Sequence, residues 1–182
     1  MKKVINIFVV LIVASFSALS QSWPDGVTYV PSIANESVVS EGNLSSGKIL
    51  SDLRWASSSS NACFTAVQFP KFQGNHVFYG TTIPPGCVMN ISVTPSVKDE
   101  ELSIYGYMVG NMEVPMVPNL QQCITCEADY QRPKPVRGKP LTSERSIEFR
   151  NPTTNTYNIV IGVSAPKGVT ERKYRMIIRT VL

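Results

Sequence analysis

Apolar and polar side chains take turns along several short stretches of this chain. Met89, Ile91 and Val93 alternate with Asn90, Ser92 and Thr94, the period-two pattern of a strand with one face in a dry core and the other in water. Leu102, Ile104 and Met108 alternate with Ser103, Tyr105 and Tyr107, and Gly106 falls on the core side, where it leaves room for a bulge or a close-lying side chain. Ile147 and Phe149 face away from Glu148 and Arg150. Tyr157, Ile159, Ile161 and Val163 continue the pattern, and Tyr174, Met176 and Ile178 close it opposite Lys173, Arg175, Ile177 and Arg179. Cys63, Thr65, Val67 and Phe69 read as a further strand ended by Pro70, and His76 to Tyr79 as another. Pro84-Pro85-Gly86 and Asn151 to Asn155 supply turns between neighbours.

Seven such strands with short connections and no convincing amphipathic helix predict an all-β fold, an antiparallel β-sandwich of two packed sheets. Parallel sheets are disfavoured because adjacent parallel strands need crossovers of a dozen or more residues. Residues 115–140 lose strand character, contain five prolines and read as a long excursion. Residues 21–61 are poorly patterned, with apolar islands at Tyr29-Val30, Val38-Val39 and Ile49 to Leu53. The sandwich is therefore expected over 62–182, and the segment before it is a candidate docking arm.

The front of the chain carries a different signal. Lys2 and Lys3 precede an apolar run from Ile7 to Ala14, and Ser15, Ser17, Ala18 and Ser20 follow. That is the order of a secretory leader, with cleavage expected after Ser20. The run is too short to span a bilayer as a stable helix, so no transmembrane segment is expected after cleavage, and the destination is secreted or periplasmic. Removing 20 residues leaves 162, enough for one domain. Losing Lys2 and Lys3 lowers the 17 basic residues to 15 against 13 acidic ones, a balance that gives no nucleic-acid signature.

The second half resembles the bacterial pre-peptidase C-terminal family, small jelly-roll-like sandwiches often appended to secreted hydrolases. Three pieces carry the resemblance: His76-Val77-Phe78-Tyr79 with the Pro85-Gly86 turn and the Met89 to Val93 strand; Glu101 to Gly106; and Asn155 to Ile161 with Tyr174 to Ile178. Members have an aspartate-rich segment before the central strand, matched here by Asp99, Glu100 and Glu101. They also have a Gly-x-Tyr motif opening the penultimate strand, where this chain has Asn155 in place of glycine. The resemblance implies a jelly-roll-like fold over about 62–181 and a role in secretion, localisation or substrate contact rather than catalysis.

Export permits disulfides among Cys63, Cys87, Cys123 and Cys126. Three pairings exist. The favoured one joins Cys63 to Cys87, worth roughly 3 kcal/mol in chain entropy, and Cys123 to Cys126. Cys123-Ile124-Thr125-Cys126 also has the spacing of a thioredoxin-like redox pair, although the surrounding prolines leave no helix to activate it. A four-thiolate zinc site would need a second close-spaced pair, which Cys63 and Cys87 do not form. His76 is the single histidine, so a multi-histidine metal site is excluded, and no Gly-x-Ser-x-Gly elbow marks a serine nucleophile.

Three groups remain as candidate binding residues. Asp99, Glu100 and Glu101 cluster oxygen ligands suited to calcium, or form a solvated turn. Tyr105 and Tyr107 share one side of a strand, where they either present a flat surface to a sugar or protein or lie buried beneath the proline-rich excursion; burial is the preferred reading. Arg132, Lys134, Arg137 and Lys139 belong to a basic stretch, continued by Arg145 and Arg150, whose opposing charges are Glu144 and Glu148, a patch suited to a polyanion or simply solvated loop and strand charges. The functional expectation is an exported, noncatalytic binding or accessory module whose partner is a protein or an extracellular polysaccharide. Two alternatives stand beside it. One is a structural subunit or inhibitor docking by its N-terminal segment or an edge strand. The other is a small hydrolase using Glu148 or the Asp99 to Glu101 carboxylates.

Overall fold

The computed structural model describes residues 23–58, 62–110, 114–135 and 141–182. The expected leader therefore lies outside the described residues, as do Arg137 and Lys139. Ten strands follow one another: β1 (Val27–Tyr29), β2 (Ser37–Asn43), β3 (Lys48–Ile49), β4 (Asn75–Ile83), β5 (Val88–Pro95), β6 (Ser103–Val109), β7 (Cys123–Tyr130), β8 (Arg145–Arg150), β9 (Tyr157–Ser164) and β10 (Lys173–Val181). One sheet runs β1-β4-β9-β6-β7, with β3 also on β4; the other runs β2-β10-β5-β8. Pairing is antiparallel except between β1 and β4. The two sheets pack as the expected β-sandwich.

The alternating residues build the core between the sheets. Met89, Ile91 and Val93 of β5 are fully buried, as are Met176 of β10 and Ile159, Ile161 and Val163 of β9. Gly106 lets the sheets approach: a Cβ there would lie 2.8 Å from Ile147 Cδ1 of the facing sheet. Within the same layer the hydroxyls of Tyr79 and Tyr174 meet at 3.0 Å, which satisfies both where water is absent.

The boundary expected near residue 62 does not hold. β1 and β3 cover the outer edge of β4, while β2 lies along the whole of β10. The apolar islands at Tyr29-Val30 and Val38-Val39 are thus structural, and a free docking arm is not what this segment forms, because β1, β2 and β3 are built into the two sheets. Cys63 to Phe69 is not a strand either. A 3-10 helix spans Ala66–Lys71, opened by the backbone N–H of Thr65 donating to the Gln68 side chain at 3.1 Å.

That helix belongs to a third layer, which the alternation did not announce. Residues 53–58 and 62–72, together with 114–120, cover the outward side of the β1-to-β7 sheet. Phe64 stacks on Phe72 with ring centres 3.9 Å apart, and Trp55 lies 5.4 Å from Tyr105. Strands β4, β6 and β9 are consequently buried on both faces, and every residue of β6 is buried.

The turn after β8 depends on one side chain. The amide of Asn151, which is buried, donates to the carbonyls of Ile83, Pro84 and Asn155 at 3.2, 2.8 and 2.7 Å. Its oxygen accepts from the Thr153 N–H and hydroxyl. Replacing Asn151 with Ala removes all of these side-chain hydrogen bonds at once and is expected to cost about 2 kcal/mol. Urea denaturation checks this, and an unchanged midpoint would contradict it.

Candidate functional site

The cysteines separate into two layers, and this corrects their pairing. Cys63 is joined to Cys126 in the outer layer, with Cα atoms 4.9 Å apart. Cys87 is buried between the two sheets and so cannot reach Cys63. Cys123 does not pair with Cys126: its thiol donates to the Thr125 carbonyl at 3.2 Å. A bulge explains the local geometry. Cys126 pairs with Tyr107 and Cys123 with Val109, leaving Ile124 as the extra residue, so both sulfurs lie on the outer-layer side of β7. Burial pushes the Cys123 thiol up to about 11, the opposite of the activation that a redox pair requires.

Tyr105 and Tyr107 are fully buried beneath the outer layer, the arrangement preferred from the sequence, and a surface-binding role is not open to them. The Tyr107 hydroxyl donates to the Pro115 carbonyl at 3.2 Å. Tyr105 donates to His76 Nδ1 at 3.0 Å, while His76 Nε2 donates to the Phe72 carbonyl at 2.6 Å. Both ring nitrogens are engaged, and desolvation lowers the imidazole to about 4 against an opposing contribution from the Phe72 carbonyl. His76 is a structural group, unavailable as a base or metal ligand.

The acidic groups proposed as ligands or catalysts are held by cations. Glu100 pairs with Arg172 at 3.3 Å, and Glu101 with Lys71 at 3.0 Å; Arg172 also donates to the Glu101 carbonyl. Asp99 takes a left-handed turn conformation at φ 64°. Among the described residues no three histidine, cysteine, aspartate or glutamate side chains converge as a metal site. Two of the three carboxylates expected to hold calcium thus already have positive partners. Glu148 pairs with Arg150 at 2.8 Å on β8, in a different element from Asp99 to Glu101.

The basic residues do gather. β7 and β8 are the outermost strands of their respective sheets on the same side of the sandwich, and a cleft of about 470 Å³ opens where they approach. Arg132, Lys134, Arg145, Asp129, Thr142 and Glu144 are among the side chains that line it. A second hollow of about 460 Å³ shares Ala128 and Ser146 with the first and extends past Glu127 and Glu148. The sequence reading placed Arg132 and Lys134 here as binding residues. It counted Arg145 in the same basic stretch but not among the binding residues, because nothing in its position at the start of a strand reveals burial.

Arg145 organises the cleft. It is 8 % exposed, and it donates to Gln131 Oε1 at 2.8 Å and to the Thr142 carbonyl. Asp129 lies 4.0 Å away but also accepts from the Ser146 and Tyr130 N–H groups at 3.1 and 3.0 Å. The Nε of Arg145 is buried without a hydrogen-bond partner among the described residues. Desolvation lowers this guanidinium and Arg132 adds to the change, while Asp129, Glu101 and Glu144 oppose it. The group is thus short of water, with one donor left over.

A different hollow, of about 510 Å³, lies between β1 and β3 over the backbone of residues 76–78. Its charged side chains, Asp25 and Lys48, have opposite signs and select no ligand class.

No family model matches the chain, and no curated protein matches it significantly. Solved structures with a similar outline include PliG of Aeromonas hydrophila, a periplasmic inhibitor of g-type lysozyme, at 10% identity and TM-score 0.40, covering 85% of this chain and 96% of that one. CorA of Methylomicrobium album BG8, a surface-associated copper-binding protein, aligns at 10% identity and TM-score 0.48 over 85% and 98%. The pre-peptidase C-terminal domain of a Bacillus anthracis collagenase aligns at 9% identity and TM-score 0.38 over 87% and 100%. The class that the two packed sheets themselves define is a β-sandwich.

Proposed function

We propose that this chain is an exported, noncatalytic binding or accessory module that takes an acidic group of a protein or an extracellular polysaccharide in the β7–β8 cleft. The observation that carries this reading is the state of Arg145. A buried guanidinium whose Nε has no hydrogen-bond partner among the described residues, and whose ion-pair carboxylate stands 4.0 Å away, has donor capacity left for an added anion, and the low-dielectric wall strengthens the attraction. Arg132 and Lys134 at the rim extend the same sign of charge outward. Asp129 and Glu144 also line the cleft and confine its positive charge to Arg132, Lys134 and Arg145.

The test is retention on two immobilised probes, a poly-glutamate peptide and a polyuronate, as salt is raised. Wild-type protein is expected to bind at least one of them and to release it near physiological ionic strength and above. Reversing the rim charges with Arg132→Glu and Lys134→Glu should weaken binding by about tenfold or more. The probe that responds identifies the partner class. Failure to bind either probe, or binding that the reversal leaves unchanged, rejects the cleft as the site.

A further inference from the structure

The geometry points to a second copy of this chain as the partner of strand β2, joined edge to edge about Val39. This inference is independent of the cleft, which lies beside β8 at the opposite end of the same sheet.

Edge strands carry unpaired backbone groups, and proteins normally protect them with charge, bulges, proline or brevity. The other described edges show these devices. β7 has a bulge at Ile124 and carries Glu127 and Asp129; β8 carries Arg145, Glu148 and Arg150, and the Asp129 carboxylate caps its Ser146 N–H. β1 and β3 are three and two residues long. β2 differs: it is seven residues long, pairs with β10 without a register shift, and contains neither proline nor a basic residue.

The hydrogen-bond pattern fixes which groups of β2 are open. Thr180 N–H donates to the Glu36 carbonyl, and Leu44 N–H to the Arg172 carbonyl, so even-numbered residues face β10. By strand alternation, the N–H and C=O of Ser37, Val39 and Glu41 face away from the sheet. All three residues are exposed. The Asn43 carbonyl is already taken by the Ser46 hydroxyl at 2.8 Å.

A two-fold axis through Val39 matches these open groups to themselves. Val39 meets the partner's Val39, and Ser37 meets the partner's Glu41 on both sides, so every outward residue opposes another. No like charges oppose, because Glu41 faces serine while keeping its ion pair with Arg175 at 3.3 Å. The side chains agree with this register. Val39 is 55 % exposed and lies beside Ile177 of β10 on the outer face. Pairing would complete a row of four β-branched residues, two from each copy, and join the two four-stranded sheets into one of eight strands.

Sedimentation of the processed chain at concentrations up to about 1 mM tests this. A monomer–dimer equilibrium is expected, and Val39→Lys, which brings two ammonium groups together across the axis, should weaken the dimer by about tenfold. Oxidation of Val39→Cys should give a covalent dimer faster than oxidation of Val97→Cys, whose site is equally exposed at 59 %. A chain that remains monomeric, a dimer indifferent to Val39→Lys, or equal crosslinking at both cysteine positions would each overturn the inference.

Discussion

Converting Cys63 and Cys126 together to serine is expected to destabilise the chain by about 4 kcal/mol at 25 °C, from the chain-entropy relation applied to their separation of 63 residues. The bond closes a loop that contains β4, β5 and β6, so without it the denatured chain regains the freedom of three strands. Loss should appear first in the outer layer. Residues 53–58 and 62–72 have no sheet ladder of their own and are held by Trp55, Phe64 and Phe72 against the sheet and by this cross-link. Guanidinium titration measures the total change. Amide exchange should show protection lost around 53–72 before β5 or β10. Peptide mapping of the native protein should return a Cys63–Cys126 linkage. A double variant as stable as the parent, or a map linking Cys63 to Cys87, would refute the arrangement.

Acidification should remove about 3 kcal/mol through His76 alone. The unfolded imidazole takes up its proton near 6.5, whereas the folded one resists until about 4. Below 6.5 the unfolded state therefore binds more protons than the native state. The resulting loss of stability begins as pH falls through 6.5 and is complete below about 4. Protonation would place an N–H on Nδ1, toward the Tyr105 hydroxyl that now donates to it, within a layer closed to water. Denaturation curves at pH 7 and pH 4 for the parent and for His76→Gln isolate the effect, because the carboxylates common to both proteins cancel. The parent should lose about 3 kcal/mol more than the variant, and equal losses would show that His76 does not control the transition.

The strands that announced themselves in the sequence are those with one wet face. β8 and β10 alternate buried and exposed residues along their lengths, and the inward row of β5 is fully dry. β6 was found by its alternation of Leu102, Ile104 and Met108 with polar and tyrosine positions. That tyrosine side is dry as well, because irregular chain covers it. The covering layer had no period to read: Trp55, Phe64 and Phe72 are spaced by the needs of a short helix and loops. The apparent alternation from Cys63 to Phe69 reflects apolar residues docking on a sheet from a 3-10 turn. β7 escaped notice because its bulge breaks the period and proline flanks it on both sides.

The site was legible in the same uneven way. A run of basic residues marks Arg132 and Lys134, since charge is visible in composition. Their convergence with Arg145 depends on β7 and β8 lying at the same side of different sheets, a long-range fact that local patterns do not encode. The cysteine pairing failed for a related reason. Proximity in sequence favoured Cys123 with Cys126, whereas the layer each sulfur occupies determines what it can meet.

Roofing one sheet leaves the molecule lopsided toward evolution. Strands β4, β6 and β9 have no watery column in which a substitution passes unnoticed, so sequence drift is channelled to β2, β8, β10 and the loops. New contacts with other molecules can arise there, where a changed side chain alters recognition without first breaking the fold.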